Sequence, residues 1–363
     1  MSKYYDVEPR DPAVLGDGRS IGVNTATRSL DMPFPSTLAG LVRTRLGSGT
    51  SGIFDAKLID RLLNQSLRGP LLSRVEPTPE IFVPAPADAV FFRQEGSEVL
   101  IRRRLRPTEL GVAEFTDLEG LTPLMLELAE KAKAAAGPKY WTWAHFMKWL
   151  STPEEGPVPR GFGLDGLVHE ERVHVAVNSE LRTVVDGALF QTDGVRYTRW
   201  SESSTGRTLE RLALRFHWDG DAIPEGPVVL GGERRLSAIR GTTDTFPSAP
   251  KELVEQVTRT RRLRLFLLTP AHFDSGYRPR QFDGAHLVSC AVGRPAVVSG
   301  WDHANGGPKP TRRCAPAGSV YWLELDDVVT NVADWVSRHW FQNVSTAEQD
   351  RRDGFGLAVV GGW

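Results

Sequence analysis

The run GFGLAVVGGW (354–363) places four glycines in an otherwise apolar stretch. How it is read decides the fold of the C-terminal part. A phosphate-cradling loop needs a strand, then glycines, then a helix whose N-terminal amides face the phosphates. Only Trp363 follows Gly361 and Gly362 in this sequence. That topology fails, and GLAVVGG reads as a closing strand. Two roles remain for its glycines. They let the strand pack tightly on a neighbour, or they leave bare backbone open to a ligand that a Cβ would keep away.

Before this strand, VVTNVADWVSRHWF (328–341) carries Val328, Val332, Trp335 and Val336 on one helical face. Strands RLRLFLLTP (262–270), PAVVSGWD (295–302) and SVYWLEL (319–325) precede it. The order β-β-β-α-β is that of a ferredoxin-like half with a shortened or irregular first crossover. The spacer TTDTFPSAP (242–250) puts a boundary there, giving domains 1–245 and 246–363.

The N-terminal part reads as a second, heavily inserted copy. A strand over 3–8 leads to the helix PFPSTLAGLVRTRLG (33–47). Ser36 is its expected N-cap and Gly47 its end. Leu38, Leu41, Val42 and Leu46 share one face, with Arg43 and Arg45 away from it. Gly40 costs about 1 kcal/mol inside a helix, so a close neighbour, a packed residue or else a ligand, is expected there. Residues 48–80, rich in Gly, Ser and Pro, read as an insertion. IFVPAPADAVFFRQEGSEVLIRRRLRP (81–107) reads as two extended runs around QEGSE. Residues 122–137 read as a helix with Thr122 as cap and Pro123 at its first position. Trp141, Trp143, Phe146 and Trp149 follow in a short helix, at a spacing typical of core. RVHVAVN (172–178) and LERLALRFHWDG (209–220) alternate as strands. Between them a hairpin over 178–193 leaves the sheet, turning at Asp186-Gly187. The expected class is α+β: two ferredoxin-like (RRM-like) domains, insertions at 48–80 and 119–155, and a projecting β-hairpin.

Composition narrows the function. The formal net charge of −1 excludes a globally basic polyanion binder but permits local patches, and 36 arginines outnumber 8 lysines. Arginine is the residue that forks onto phosphates and stacks on bases. Cys290 and Cys314 are the only cysteines and lack metal-ligand spacing, which points to a reducing compartment and no metal site. No cofactor motif occurs. The start MSKYYDVEPRD lacks the apolar core of a signal peptide, and the longest apolar runs, such as 263–270, are too short to span a bilayer. A cytoplasmic protein without a membrane partner is expected.

Ribonuclease chemistry beside a 2′-hydroxyl wants a general base, commonly histidine, with a cation near the phosphate. No histidine precedes His145, and His169, His174, His217, His272, His286, His303 and His339 are scattered. Only His303, in SGWDHANGG, is a candidate. Asp17, between glycines, is a turn residue.

Several motifs occur in one order: DGRSIG (17–22), the PFPSTLAGLVRTRL helix, VHVAVNSELRTVVDGALF, LGGERR (230–235), LLTPAHFDSGYRP (267–279), VSGWDHANGGPKPTRRCAPAGSVYWLEL and GFGLAVVGG. The series resembles the third-subunit family of the Cmr complex, the type III-B CRISPR ribonucleoprotein, in the RAMP superfamily. The resemblance spans nearly the whole chain, with 48–80 and 119–155 departing from the pattern. It implies a non-catalytic subunit that binds the 5′ handle of the guide RNA. It also implies pairing with the large polymerase-like subunit, contact with the adjacent backbone RAMP subunit, and a hairpin thumb that presses on the RNA. The alternative is a RAMP endoribonuclease that processes guide precursors.

The candidate RNA contacts follow from that resemblance. Gly354, Gly356, Gly361 and Gly362 would offer amides to the RNA backbone. Lys309, Arg312 and Arg313 sit in a Gly/Pro-rich loop, and Arg234 and Arg235 follow a Gly-Gly turn. Leu189 and Phe190 would wedge against a base while Arg182 holds the adjoining phosphate. Ser36 and Arg43 of the first helix complete the set.

Overall fold

The computed structural model describes residues 3–16, 29–49, 52–93, 98–109, 118, 120–126, 133–203, 206–279, 282–302 and 306–363. Strand β1 (Tyr4–Pro9) buries Tyr5 and Val7 on one side. Helix α1 (Pro35–Ser48) begins at a proline, whose missing N–H suits a first helical position. Phe34 flanks it, so Ser36 lies inside the helix rather than at its cap. The helix ends at Gly49 with φ 50°, two residues past Gly47. A Cβ on Gly40 would meet open space, so no packed residue is the close neighbour expected there.

The segment 48–80 is not a loose insertion. It holds helix α2 (Ile59–Leu63) and strand β2 (Ser66–Glu76), which runs beside the long strand of residues 206–219. Strand β3 (Glu80–Pro84) pairs with β2, and β4 (Ala89–Arg93) with β5 (Leu100–Arg104) forms the expected hairpin. The helix expected over 122–137 does not form where the chain is described. Residues 124–125 and 133–135 are extended and pair with neighbouring strands. Strand β6 (Tyr140–Thr142) leads to α3 (Trp143–Ser151), capped by the Thr142 side chain.

A two-stranded ribbon follows, β7 (Val168–Val177) with β8 (Val184–Arg196). Its turn is 178–183 rather than Asp186-Gly187, which lies within β8. The reason is local: the Asn178 side-chain oxygen accepts from the amides of Glu180 (2.9 Å) and Leu181 (3.0 Å), an Asx-type turn. Strands β9 (Thr198–Ser203), β10 (Gly206–Asp219), β11 (Gly226–Val229) and β12 (Leu236–Thr242) complete the first sheet. Among the described residues its order is 163–164, β6, β3, β2, β10, β1, β12, β11, with β9 also on β10.

The second sheet is preceded by α4 (Lys251–Thr260), which the sequence reading overlooked. It contains β13 (Arg262–Leu267) and β14 (Ala285–Ala291). Strands β15 (Ala296–Val298) and β16 (Arg312–Cys314) pair only with each other, so 295–302 is a limb of a ribbon and not a sheet strand. Strand β17 (Val320–Leu325), helix α5 (Val332–His339), helix α6 (Glu348–Arg352) and strand β18 (Leu357–Gly362) close the chain. Val328 lies before α5 and is exposed. The order is β14, β17, β13, β18, then residues 342–343, all antiparallel.

Four strands in each sheet share one spatial order. In chain order, β1, β2, β10 and β12 lie second-third-first-fourth, and so do β13, β14, β17 and β18. The helices are complementary. α1 lies between the first and second strands of the first set, and α5 between the third and fourth of the other. A sheet face must be covered. Here α4 supplies Leu253 and Val257 to the core of the second sheet.

Strands of the first sheet all precede residue 245, and those of the second all follow 260. The cores do not divide there. Phe91, Trp141, Phe146, Trp149 and Phe162 pack in one cluster with Phe266, Trp322 and Val360, while Phe82 and Leu164 join the core of the first sheet, so 81–164 bridges the two halves. Alternation in RTRRLRL (259–265) suggests a solvated sheet face for its arginines, but Arg264 is what fastens segment 81–164. Its fully buried guanidinium meets Asp88 at 2.6 Å and donates to the carbonyls of Gly362 (2.6 Å) and Trp149 (2.7 Å). Arg102 is also buried, 4.8 Å over the Phe162 ring and 4.9 Å over Trp149. Among the described residues no helix is long and apolar enough to cross a membrane.

Candidate nucleic-acid interface

A cleft of about 470 Å³ opens where the two halves meet. Met32 and Phe34, just before α1, form one wall, and Pro70 of β2 and Tyr140 of β6 lie in another. Leu268 to Pro270, after β13, and Ala317 come from the C-terminal half. Two ribbons rise from its margins.

The first ribbon is β7–β8. At its root His169, which lines the cleft, is held between two carboxylates: Nε2 lies 2.7 Å from Asp31 and Nδ1 lies 2.8 Å from Asp193. Asp193 also accepts from the Ser29 amide at 2.8 Å, and the Tyr197 hydroxyl donates to the Asp31 carbonyl at 2.8 Å. Burial alone pulls the His169 pKa down, but hydrogen bonds to Asp31 and Asp193 outweigh it and the net shift is upward. Burial beside Asp31 raises the Tyr140 phenol. Beyond the root, Val173, Val175, Val177, Leu181 and Val184 are exposed, an apolar surface of the kind that marks a binding face. Arg182, at the tip, is exposed and adopts φ 49°. Leu189 and Phe190 pair through their backbones with Val175 and His174, and their side chains lie outside the described residues.

The second ribbon is β15–β16, extended outward by 301–302 pairing with 307–308. At its root Val298 and Cys314 pack with Phe355, and Phe34 of the cleft wall lies against them. Burial pushes the Cys314 thiol up to about 11. The basic residues divide. Lys309, next to the outward extension, and Arg313, on β16, are exposed. Arg312 turns inward, ion-paired with buried Asp350 and stacked 4.9 Å over Phe355. His272 holds the other oxygen of Asp350 at 2.9 Å. His303 and Asp17 lie outside the described residues.

The terminal glycines meet protein. A Cβ on Gly361 would come 2.7 Å from the Phe266 ring and 3.1 Å from the Leu150 carbonyl. Gly354 would meet the Gly69 carbonyl at 2.7 Å, and Gly356 (φ 82°) the Ser345 amide at 2.8 Å. The three atoms nearest a Cβ on Gly362 would all belong to the end of the Gln256 side chain. All four are buried. Tight packing, not an open floor for RNA, is therefore what these glycines permit in the folded chain. Gly361 lies beside Arg264 in the ladder, where a bare position lets the end of α3 dock on β18.

Arg43 is likewise engaged inside the protein. It bonds Asp353 at 2.5 Å and donates to the carbonyls of Leu62 (3.1 Å) and Gln65 (3.3 Å), tying α1 to α2 and α6. Ser36 adjoins Pro35 at the cleft wall. Arg234 is exposed and Arg235 half-buried, in a turn with positive φ at Glu233 and Arg234. That turn bridges to Val14, and neighbouring Ala13 bridges to Val195 at the root of the first ribbon. The structure thus groups Arg234, Arg235 and Arg182 with the first ribbon, and Lys309 and Arg313 with the second. Sequence reading missed the Asp31–His169–Asp193 cluster, because its members lie 138 and 24 positions apart and no periodic signal joins them.

The family model described as CRISPR-associated protein (Cas_Cmr3) matches residues 5–363. Solved structures share the fold. A chain of the type III-B Cmr-beta complex, determined by cryo-EM with cognate target RNA and AMPPnP (state 1), is 17% identical, with a TM-score of 0.50 over 88% of this chain and 86% of that one. A second cryo-EM structure of Cmr-beta bound to cognate target RNA gives identical figures: 17% identity, TM-score 0.50, 88% and 86% coverage. No curated protein matches the sequence. Two sheets of one strand order, a cleft between them and a family match over almost every residue converge: the chain belongs to the Cas_Cmr3 family of CRISPR-associated proteins.

Proposed function

We propose that this chain is a non-catalytic subunit of a type III-B CRISPR ribonucleoprotein that grips the 5′ handle of the guide RNA and pairs with the large polymerase-like subunit. The second-third-first-fourth strand order supports reading both halves as ferredoxin-like units of the RAMP kind. The observation that carries the proposal is the cleft flanked by two ribbons, one bearing exposed Lys309 and Arg313, the other an exposed apolar tip. Single-stranded RNA is held by stacking and by cations along its phosphates, and this arrangement offers both.

Purified chain incubated with repeat-containing RNA, without and then with a divalent metal, should bind and not cut. Specific scission would establish the endoribonuclease reading instead. In the assembled complex, ultraviolet crosslinks from handle nucleotides should fall within 168–196 and 296–314. A complex whose guide crosslinks only to other subunits would make this chain a scaffold.

A further inference from the structure

We infer that His169 is a positioning residue, a protonation-dependent clasp that fixes the β7–β8 ribbon at the rim of the cleft. The argument is stereochemical. Ionised carboxylates only accept hydrogen bonds, and the ring faces one with each nitrogen, Asp31 at 2.7 Å and Asp193 at 2.8 Å. Both nitrogens must therefore carry a proton, and the ring is an imidazolium. Its two partners belong to different parts of the fold. Asp193 lies opposite Glu171 in the ribbon itself, whereas Asp31 precedes α1 in the cleft wall. The clasp thus joins ribbon to body.

Other groups complete the surroundings. Lys139 approaches Asp31 at 3.5 Å, the Tyr140 hydroxyl bonds Asp31, and Tyr197 holds the Asp31 carbonyl. They keep Asp31 in place when the ring changes state. Loss of one ring proton leaves a nitrogen lone pair facing a carboxylate, and that contact becomes repulsive. The shift of the His169 pKa above its ordinary value sets the sign. The stabilisation is fully present below about pH 6.5, the unfolded value, and disappears as pH rises through the higher folded value. This inference rests on the ribbon root alone and stands whether or not the chain binds RNA.

Amide hydrogen exchange on the full chain, corrected for intrinsic rates, tests it at about pH 6 and about pH 8.5. Protection across 170–177 and 189–195 should fall about tenfold or more at the higher pH, on the scale of one lost charged hydrogen bond, while β10 holds. His169→Gln should show weak ribbon protection at both values and no response to pH. His174→Gln, on the opposite face of β7, loses its 2.8 Å bond to Thr192 and should lower protection alike at both values, leaving the response to pH in place. A wild-type ribbon whose protection ignores pH, or a His169→Gln ribbon that still responds, overturns the clasp. Should His169→Gln not fold, ¹⁵N shifts of the wild-type ring decide the matter. Two protonated nitrogens at about pH 6 are required, and a neutral tautomer there refutes the proposal.

Discussion

At the scale of single residues, burial separates neighbours that look alike in sequence. Gly361 and Gly362 are adjacent, yet one faces the Phe266 ring and a helix carbonyl and the other a flexible glutamine. Gly361→Val should cost about 1–3 kcal/mol through overpacking, and Gly356→Val more, because a positive φ adds about 1–3 kcal/mol of strain. Gly362→Ala should stay within about 1 kcal/mol of wild type, since Gln256 can swing away. Thermal melts of the three variants check the ranking, and equal midpoints would mean that the glycines are not packed as described. The basic residues divide in the same way. Replacing Lys309 and Arg313 by alanine should lower affinity for single-stranded RNA of any sequence and flatten its salt dependence by up to about 0.7 unit of slope per contact. Arg312→Ala should act on stability instead, because it strips an ion partner from buried Asp350. An unchanged salt slope in the double variant would place both side chains in solvent.

At the scale of elements, the errors and successes have identifiable causes. β10 and β13 were legible because Leu212, Leu214, Phe216 and Trp218 in one, and Leu263 and Leu265 in the other, recur at period two. α4 was legible in principle, since Leu253, Val254 and Val257 repeat at helical spacing, but the arginine-rich run after it drew the reading toward strand. Residues 122–137 misled through propensity. They begin with Thr-Pro and end with Gly, yet 133–135 add to the β4–β5 hairpin, and tertiary pairing outweighs a weak helical preference. The first ribbon shows how a side chain sets a turn. Asp186-Gly187 is the stronger local turn pair, but Asn178 caps a turn eight residues earlier and the register follows it. Asn178→Ala should remove the oxygen that accepts from two amides, cost about 1 kcal/mol locally, and raise exchange at 180–183 without moving the global melting point. A variant tip that exchanges like wild type would show that the β-ladder alone fixes the turn.

On the scale of the molecule, Arg264 and Asp88 join a loop of the N-terminal half to the C-terminal sheet inside one core. Leaving Asp88 buried without its partner should be severe, and Arg264→Ala is expected to lose about 3–5 kcal/mol. Arg264→Met combined with Asp88→Asn should lose less, because the carboxylate goes with its partner while an amide oxygen still faces Trp149 Nε1 and buried Arg104. If the single variant melts like wild type, the pair is not a structural tie. The same core explains why a boundary near 245 describes the chain's course and not its packing. Segment 81–164 is N-terminal in sequence, but its Phe91, Trp141, Phe146, Trp149 and Phe162 are shared with β13, β17 and β18.

Alternating and helical periods, which depend on near neighbours along the chain, determined the strands β1, β10, β13, β17 and β18 and the helices α1, α3 and α5. Motif order pointed to the Cmr family before any coordinate, and a family match over residues 5–363 agrees with it. Period and motif are silent about which side of a strand becomes interior once both faces are covered. Arg264 and Gly361 therefore read as solvent-facing and ligand-facing until α3 is seen docked over them. The same holds for Arg43 and Arg312, whose carboxylate partners lie 310 and 38 positions away. The imidazolium at 169 is the plainest case, because its state depends on two carboxylates that only the folded chain brings to its two nitrogens.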